Sequence, residues 1–500
     1  MLTSFNPFET NTGSSKLGSP KYYLPLFAVS IAVAWGLSYM GLVGGMGLII
    51  LPFFSAYLIL LFQKPIIGLY TVVGLGFVIL GIMRYVDIPM TGLSIDAILL
   101  MTFLALIFKN FYTKMDWTPA KKDVTLLAGI WFAYGLLSVL NPEIRDYPTW
   151  LSSFRGISLY MLLVVTLTLL LINTNKRVGY FFYIWGIFSI LVTMKGIMQV
   201  TLGVDQWEKA WLDAGAYSTH LLFGKLRVFS FLSDAGQFGA TQAYSGVVFT
   251  ILSLAQKDIK KKVFFLIVGI LGIYGMFLSG TRGAISVPLA GFLLYFLLRG
   301  NKAIMISGAV VLLVVFIFFK YTSIGQGNQQ IRRMRTAFDP NDASLQTRLT
   351  NQRTLSVYLA SRPFGGGLGH AGKKAKKALP NTFLANIATD SWYVMIWAEQ
   401  GVVGLVLHLF ILFYIIAKAS YLIMFKIRDP IVKMNTTAMT AGMSGIMVAS
   451  YGNAVLGQVP TSMLIYISMA LMLNSEKLDE EAISNRPKDE SFAPLLNRGI

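Results

Sequence analysis

Long apolar stretches separated by short polar segments recur along this chain from Tyr23 to residue 474. A helix needs about 20 apolar residues to cross a bilayer core, and the stretches approach that length, so they predict transmembrane helices. The predicted spans are 23–41, 44–62, 66–83, 95–109, 123–140, 157–174, 178–200, 236–255, 263–279, 284–298, 303–319, 391–417, 436–456 and 460–474. Several are short, and the first two are also compatible with a re-entrant hairpin, so the expected count is 12–14. The expected fold class is all-α and polytopic.

The composition agrees with this prediction. Hydrophobic residues make up 55% of the 500 residues and charged residues only 13%, whereas a soluble protein carries about 25% charged residues. The absence of cysteine excludes disulfides and thiolate chemistry. The three histidines, His220, His370 and His408, lie far apart in the sequence. No metal site and no cofactor are therefore expected.

The net charge of +19 is explained by the membrane topology rather than by nucleic-acid binding. With the N-terminus inside, the cytoplasmic segments and short loops hold nineteen lysines and arginines, and the short outer loops hold seven. This asymmetry satisfies the positive-inside rule. It predicts a cytoplasmic tail over 1–22, helices 1–11 over 23–319, helices 12–14 over 391–474, and a disordered acidic cytoplasmic tail over 475–500.

The remaining segment, 320–390, is predicted to be a large and strongly basic periplasmic loop. Its charged residues are Lys320, Arg332, Arg333, Arg335, Arg348, Arg353, Arg362, Lys373, Lys374, Lys376 and Lys377 against Asp339, Asp342 and Asp390. Eleven positive charges minus three negative charges leave +8, which the positive-inside rule does not explain, although long loops are translocated regardless of charge. Apolar residues at helical spacing over 345–361 predict an amphipathic helix on the outer membrane surface.

Basic residues outside the helices occur at three places that are candidates for binding chemistry, one of which is the long loop 320–390. Lys225 and Arg227 precede helix 8, and Arg282 lies in Leu278-Ser279-Gly280-Thr281-Arg282-Gly283-Ala284 at a membrane boundary. A charged residue costs roughly 2.5–3.5 kcal/mol at a membrane centre and less at its edge. Arginine also matches phosphate oxygens with two parallel hydrogen bonds. Snorkelling or contact with lipid headgroups is the alternative interpretation.

The start of helix 12 carries a more specific pattern. Asp390 and Ser391 are followed by nine residues, 392–400, and then by Gly401-Val402-Val403-Gly404, with Glu399 two positions before the first glycine. This pattern resembles the signature of the bacterial O-antigen ligase and polymerase superfamily, which is histidine followed by asparagine or serine, nine residues, and Gly-x-x-Gly.

Other segments are similar to the family in the same order. Leu278–Ala284 is similar to its Thr-x-Ser-Arg-Gly stretch, with Arg282 as the arginine. Residues 227–239 are similar to its arginine and Pro-Asn segment, although Ser233-Asp234 replaces Pro-Asn. Residues 348–369, with Arg348, Arg353 and Pro363-Phe364-Gly365-Gly366-Gly367-Leu368-Gly369, are similar to a stretch of its large periplasmic loop. The resemblance covers roughly 220–410.

One departure from the family concerns the residue expected to act as a base. Asp390 stands where the family has histidine, so Asp390 either accepts a proton from a sugar hydroxyl or orients the acceptor. Asp390-Ser391 could instead be only an N-cap of helix 12. His370 is the other candidate, with a solvated loop histidine as the alternative. The predicted catalytic residues are Asp390, Arg282 and Arg227; the predicted substrate-binding residues are Lys225, Arg348, Arg353, His370, Ser391 and Glu399.

The resemblance implies a metal-independent, multi-pass glycosyltransferase of the bacterial inner membrane. Its donor would be a glycan on undecaprenyl diphosphate, its acceptor a lipid, glycan or protein, and its other partners membrane lipids, in surface polysaccharide or lipopolysaccharide biogenesis. The arginines would stabilise the departing diphosphate. Ligase activity is favoured, and a polymerase that joins repeat units on the carrier is the alternative. A lipid-linked glycan flippase or other transporter is the second alternative, although no internal repeat typical of transporters is visible.

Overall fold

A computed structural model describes residues 20–85, 91–222, 224–327, 329–336, 339 and 341–485. Residues 1–19 of the predicted N-terminal tail and 486–500 of the predicted C-terminal tail lie outside the described residues. The first ten helices are α1 Pro20–Gln63, α2 Ile66–Tyr85, α3 Ser94–Tyr112, α4 Asp123–Leu137, α5 Tyr147–Phe154, α6 Tyr160–Leu171, α7 Asn175–Thr201, α8 Gln206–Trp211, α9 Tyr217–His220 and α10 Ala235–Ala255.

Eleven further helices complete the described part of the chain. They are α11 Ile259–Ser279, α12 Ser286–Leu298, α13 Lys302–Tyr321, α14 Gln329–Arg335, α15 Ala343–Leu359, α16 Gly372–Ala378, α17 Phe383–Asn386, α18 Trp392–Phe425, α19 Pro430–Ala449, α20 Thr461–Leu473 and α21 Ser475–Ser484. In the described part of the chain the strands are β1 Leu221–Leu222 and β2 Lys225–Leu226, which pair antiparallel. The predicted all-α class is therefore confirmed.

Helices lie at all fourteen predicted spans, but fewer of them meet the requirements for crossing a bilayer. Among the described residues, nine helices are long and apolar enough. The predicted number of 12–14 was too high by this criterion, because Phe27–Gly36, Gly47–Gln63, Arg282–Leu298 and Thr461–Leu473 are apolar but short. The nine are Ile66–Tyr85, Ser94–Tyr112, Asp123–Leu140, Tyr147–Leu171, Asn175–Thr201, Ala235–Ala255, Ile259–Ser279, Lys302–Tyr321 and Trp392–Phe425.

The chain divides into two compact units, Met1–Lys64 and Pro65–Ile500. In the first, α1 has a non-helical residue at Gly41, where φ is 54°, so the first two predicted spans are two segments of one interrupted helix. In the second, α10, α19 and α20 form the buried centre, and every residue of α20 is buried. Helix α10 approaches α11 closely, because a Cβ at Gly272 would lie 2.6 Å from the backbone nitrogen of Gly246. Small residues at such contacts are typical of membrane helices.

Helix α19 is not among the nine candidates, although it is buried. It carries Thr436, Thr437 and Thr440 at its centre, and each hydroxyl donates to the carbonyl oxygen four residues earlier at 2.7–2.8 Å. These hydrogen bonds satisfy the hydroxyls inside the helix, so the polar side chains can be buried at little cost.

The predicted loop 320–390 contains the four helices α14 to α17. Helix α15 is close to the predicted helix over 345–361, but part of its apolar face packs against protein. Leu355 and Leu359 are buried against Leu384 and Ala398. The location of α15 on a membrane surface, like the sidedness of the whole chain, stays a prediction.

Helix α18 is interrupted where the segment 363–367 of this loop contacts it. Gly401 has φ 70° and ψ −172°, a conformation essentially restricted to glycine. The backbone N–H groups of Gly366 and Gly367 donate to the carbonyl oxygens of Ala398 and Glu399 at 2.9 and 3.1 Å. A Cβ at Gly401 would lie 2.0 Å from the carbonyl oxygen of Pro363, so no other residue fits there.

The predicted disorder of the acidic tail is wrong for 475–484, which form α21. The carboxylate of Asp479, 3% exposed, accepts hydrogen bonds from the backbone N–H groups of Arg428 and Asp429 at 3.0 and 2.6 Å. Glu481 accepts hydrogen bonds from Asn175 at 2.7 and 2.9 Å. These acidic side chains satisfy the donors of neighbouring helix termini, a role that the composition of the tail did not reveal.

We expect Gly401→Ala to destabilise the protein by about 2–5 kcal/mol, because the new methyl group adds backbone strain and overlaps the segment around Pro363. Gly300→Ala is the matched control, since Gly300 has φ 68° with no atom within 4 Å of a Cβ, and it should cost about 1–2 kcal/mol. Thermal unfolding of the purified protein in detergent measures both variants. Equal melting temperatures would contradict the proposed close contact.

Candidate functional site

Three arginines from separate segments of the chain converge at one end of α11. Arg227 follows β2, Arg282 lies in the turn between α11 and α12, and Arg333 lies in α14. The turn is possible because Gly280 ends α11 in the left-handed conformation, with φ 56°. We call Arg227, Arg282 and Arg333 the arginine cluster. Arg282 and Arg227 were predicted from the sequence, and the structure brings them together.

Arg227 is partly buried and is held by neutral groups. Its guanidinium donates to the carbonyl oxygen of Thr219 at 3.1 Å and to Oγ1 of Thr281 at 3.2 Å. Burial lowers the pKa of Arg227, the negative charge of Asp234 raises it, and the positive charge of Arg282 lowers it further. The guanidinium is thus fixed in a partly desolvated position.

Arg282 has the most polar partners of the three. It pairs with the carboxylate of Asp342 and donates to Oγ1 of Thr336 at 3.1 Å and to Oγ of Ser344 at 2.9 Å. Burial raises the pKa of Asp342, but the hydrogen bond from Arg282 and that from the backbone of Leu345 bring it below its usual value. Asp342 is also the N-cap of α15, so one carboxylate joins α15 to the arginine cluster.

Arg333 completes the cluster and was missing from the sequence-based site. Burial and the nearby positive charges of Arg227 and Arg282 lower its pKa to about 10. Arg333 and Arg227 line a small cavity of about 20 Å³ together with Lys225 and Gly280. The sequence showed Arg333 only as part of the basic loop, where nothing distinguished it from Arg332 and Arg335.

The arginine cluster has an excess of positive charge. Within the described part of the chain, an ion pair to a carboxylate is recorded for Arg282 but not for Arg227 or Arg333. Buried like charges repel each other and are poorly solvated. An anion in contact with all three guanidiniums would offset both the repulsion and the lost solvation. The geometry of the guanidinium group suits phosphate oxygens.

Two side chains, of which Gln199 is buried and Arg84 partly buried, hold the backbone that leads from Arg227 into α10. Arg84 donates to the carbonyl oxygen of Ser230 at 2.6 Å and to that of Leu232. Oε1 of Gln199 accepts from the backbone N–H groups of Phe229 and Ser230 at 3.3 and 2.9 Å. Arg84 and Gln199 could not be recognised from the sequence, because their partners are backbone groups 30 or more residues away.

Asp390 and Ser391, at the start of α18, have different roles. The N-cap is Ser391, whose Oγ accepts from the backbone N–H of Val394 at 3.5 Å and donates to the carbonyl oxygen of Ser450 at 3.3 Å. Of the pair Asp390-Ser391, which was the alternative cap, Ser391 and not Asp390 caps the helix. The side chain of Asp390 is 57% exposed and lies 3.8 Å from Nε of Arg348. Arg348 belongs to α15, six residues after Asp342, so about 9 Å of helix separates the two contacts.

Lys225 and Arg353, two other predicted binding residues, are exposed. Lys225 lines the small cavity beside Arg227. Arg353 lies on α15 and lines a separate hollow with Val357 and Phe383. The structure thus brings Lys225 to the arginine cluster and places Arg353 further along α15.

His370 and Glu399 are not parts of the arginine cluster. They make the contacts of the loop with the segment at 145–146 and with α18. Nε2 of His370 accepts from the backbone N–H groups of Arg145 and Asp146 at 3.0 and 3.3 Å, and Nδ1 lies 3.0 Å from the carbonyl oxygen of Leu368. This pattern requires a neutral ring with its proton on Nδ1. Glu399 is buried, and its Oε1 accepts from the backbone N–H of Ala371 at 3.4 Å.

Comparison with known proteins identifies this region. Residues 232–409 match the O-antigen ligase family model, which confirms the resemblance predicted from the sequence. The matched segment includes Arg282, Arg333, Asp390 and Gly401, whereas Arg227 lies just before it. No curated protein matches the chain. The match supports a glycosyltransferase-like role in polysaccharide biogenesis for this multi-pass membrane protein.

We expect His370→Ala to lower the melting temperature, because two backbone N–H groups lose their acceptor at a cost of about 1–3 kcal/mol each. Glycan transfer per folded molecule should change little. His408→Ala is the control for removing a buried histidine elsewhere, since Nε2 of His408 accepts from Nε1 of Trp392 at 2.9 Å. Thermal unfolding and transfer are measured on the same preparations. A His370→Ala protein of normal stability without activity would contradict the structural role and indicate a chemical one.

Proposed function

We propose that this chain transfers a glycan from undecaprenyl diphosphate to an acceptor at the periplasmic face of the bacterial inner membrane. In this reaction the bond between the anomeric carbon and the diphosphate oxygen breaks, and its electron pair leaves with the diphosphate. A new bond forms between that carbon and an acceptor hydroxyl, whose proton passes to a base. The proposal specifies the donor and the membrane face for the family that residues 232–409 match.

The observation that carries this proposal is the arginine cluster. The diphosphate leaving group gains negative charge as the glycosidic bond breaks, and guanidiniums held in fixed positions stabilise that charge most strongly in the transition state. Arg227 and Arg333 are desolvated, which strengthens their interaction with an anion. Thr219, Thr281 and Asp342 hold the guanidiniums in place.

Asp390 is the proposed proton acceptor or orienting group for the acceptor hydroxyl. It is exposed, as a group that meets an incoming substrate must be, and it lies beside Arg348 on α15. Because α15 also carries Asp342 and Ser344, the contacts of Arg282, one helix spans both halves of the proposed site. We propose that α15 acts as a cover that fixes the spacing between donor diphosphate and acceptor.

Within this class we favour a ligase, which moves a finished glycan to a different acceptor. The Gly401-x-x-Gly404 spacing and Glu399 support a ligase, whereas aspartate instead of histidine at position 390 favours a polymerase. Gels of surface polysaccharide from a deletion strain separate the two. Loss of all long chains from the acceptor with accumulation of carrier-bound polymer supports a ligase, and a single-repeat product supports a polymerase.

We expect Arg282→Ala to abolish transfer and Arg333→Ala to reduce it by about ten- to a hundredfold. Loss of one hydrogen bond to a charged group costs about 1.5–3 kcal/mol, and 1.4 kcal/mol corresponds to a factor of ten. Arg332→Ala is the matched control, since Arg332 is the exposed neighbour of Arg333 in α14. The assay uses purified protein, a lipid-diphosphate glycan and candidate acceptors. Equal activities of the Arg332 and Arg333 variants would contradict the assignment of Arg333.

We expect Asp390→Asn to reduce transfer by about a hundredfold or more, as loss of a general base does, with an unchanged melting temperature. Ser391→Ala is the complementary control. It removes the N-cap at a cost of about 1 kcal/mol and should leave transfer per folded molecule nearly unchanged. Normal turnover by Asp390→Asn would show that Asp390 does not take part in the proton transfer.

A further inference from the structure

A cavity of about 460 Å³ lies between the C-terminal end of α4 and the segment that follows α15. Leu137, Leu140 and Pro142 line one side, and Arg362, Pro363 and Phe364 line the other. The volume falls within the range of about 300–1,000 Å³ that is typical of ligand sites. The arginine cluster contributes no residue to this cavity.

The lining is apolar with polar groups at one edge. Leu137, Leu140 and Phe364 are 62%, 76% and 58% exposed, so the cavity presents an open hydrophobic surface. At its edge, Nε of Arg362 donates to Glu143 at 2.9 Å, and the guanidinium lies 4.2 Å from the ring centre of Tyr358. A surface that is apolar on one side and charged on the other matches an amphiphile.

Arg362 is oriented so that it can also contact a ligand. Its Nε donates to Glu143, and its Nη1 donates to the carbonyl oxygen of Tyr358 at 2.9 Å and to Oγ of Ser361 at 3.2 Å. Among the described residues, no acceptor is recorded for Nη2. A phosphate oxygen at the edge of the cavity would find a donor there, on a guanidinium that its other bonds already hold in place.

The position of the cavity in the fold indicates that the amphiphile comes from the membrane. Asp123–Leu140 is one of the helices long and apolar enough to cross a bilayer, and its last turns form the apolar wall. An open apolar surface at the end of such a helix is adjacent to lipid chains. Filling it with an acyl chain removes apolar surface from water at about 25 cal/mol per Å².

The carrier lipid is the less favourable occupant, and this step rests on the proposed function. If the donor diphosphate binds the arginine cluster, its headgroup lies at the Asp342 end of α15, whereas Arg362 follows the other end. The 17 residues of α15 span about 25 Å. One headgroup cannot contact both ends, so a different lipid is needed at this cavity.

We infer that this cavity binds one acyl chain of a phospholipid, with the phosphate of its headgroup against Arg362. The bound chain covers Leu137, Leu140 and Phe364. Because the lining segment continues directly into Gly365, which contacts the interruption of α18, the lipid also stabilises the docking of the loop on that helix.

The test uses a phospholipid with a photoreactive diazirine in its acyl chain, in vesicles that contain the purified protein. We expect adducts at 137–142 and 361–365. Leu137→Trp should reduce them at least fivefold, because the indole fills the cavity. Leu136→Trp is the matched control, since Leu136 is exposed but does not line the cavity, and should keep the adducts. Equal labelling of the two variants, or no adduct at 361–365, would overturn the inference.

Three further measurements keep the result unambiguous. Leu140→Gln places a polar group on the cavity wall and should also lower labelling, which covers the case in which Leu137→Trp does not fold. A photoreactive polyprenyl diphosphate is the second probe. If it labels the cavity in preference to the phospholipid, the inference is wrong. Arg282→Ala separates the proposed glycan transfer from the proposed phospholipid site, because it should lose transfer yet keep phospholipid labelling. Normal transfer by that variant would refute only the proposed function.

Discussion

The interruption of α18 at Gly401 is the contact on which the geometry of the candidate site depends. Backbone hydrogen bonds from Gly366 and Gly367 use carbonyl oxygens just before the interruption, and the backbone N–H of Val403 just after it donates to Pro363 at 3.3 Å. An unbroken helix would use these groups internally. The long loop is therefore joined to α18 through main-chain hydrogen bonds, which fix it more rigidly than side-chain contacts would. The two glycines of the Gly-x-x-Gly signature have a physical role here, because Gly404 lies against the ring of Tyr134.

Once the segment 363–367 is fixed in this way, the loop determines where the charges lie. Leu355 and Leu359 hold α15 against the segment before the interruption, and the other end of α15 reaches Arg282 through Asp342. Part of the net charge of +19 is thus concentrated in the arginine cluster, where the packing of the loop places it. Desolvated guanidiniums at close range reduce stability, and such an arrangement is typical of sites in which stability is given up for binding.

Periodicity and composition predicted the helices well, because a bilayer-crossing helix is defined by its own sequence. The same reasoning could not select Arg333 from the arginines of the loop, since its place depends on where α14 packs against the turn at Gly280. Asp390 and Ser391 show a similar limit. Both are good N-cap residues, and only the backbone conformation distinguishes Ser391 as the cap. The acidic residues of α21 resembled a disordered tail because their partners, the N–H groups of distant helix termini, leave no pattern nearby. The sequence resemblance located Gly401 and Arg282. It did not reveal the close contact of Gly401 with Pro363 or the pairing of Arg282 with the carboxylate of Asp342.

Asp342 connects the two halves of the proposed chemistry. Its Oδ1 accepts from the first turn of α15 at 3.1 Å, and its Oδ2 pairs with Arg282, so it is both a helix cap and a counter-ion. An anion that binds Arg282 competes with this carboxylate for the same donors. A capping interaction contributes about 1 kcal/mol, whereas hydrogen bonds between charged groups contribute about 1.5–3 kcal/mol. The pair between Asp342 and Arg282 is therefore the stronger of the two contacts and dominates the position of α15 at this end. A donor diphosphate would therefore act on the helix that carries Arg348, and through Arg348 on Asp390. In the proposed reaction, donor binding and acceptor orientation would therefore be physically coupled, because α15 carries both the contact of Arg282 and the contact of Asp390.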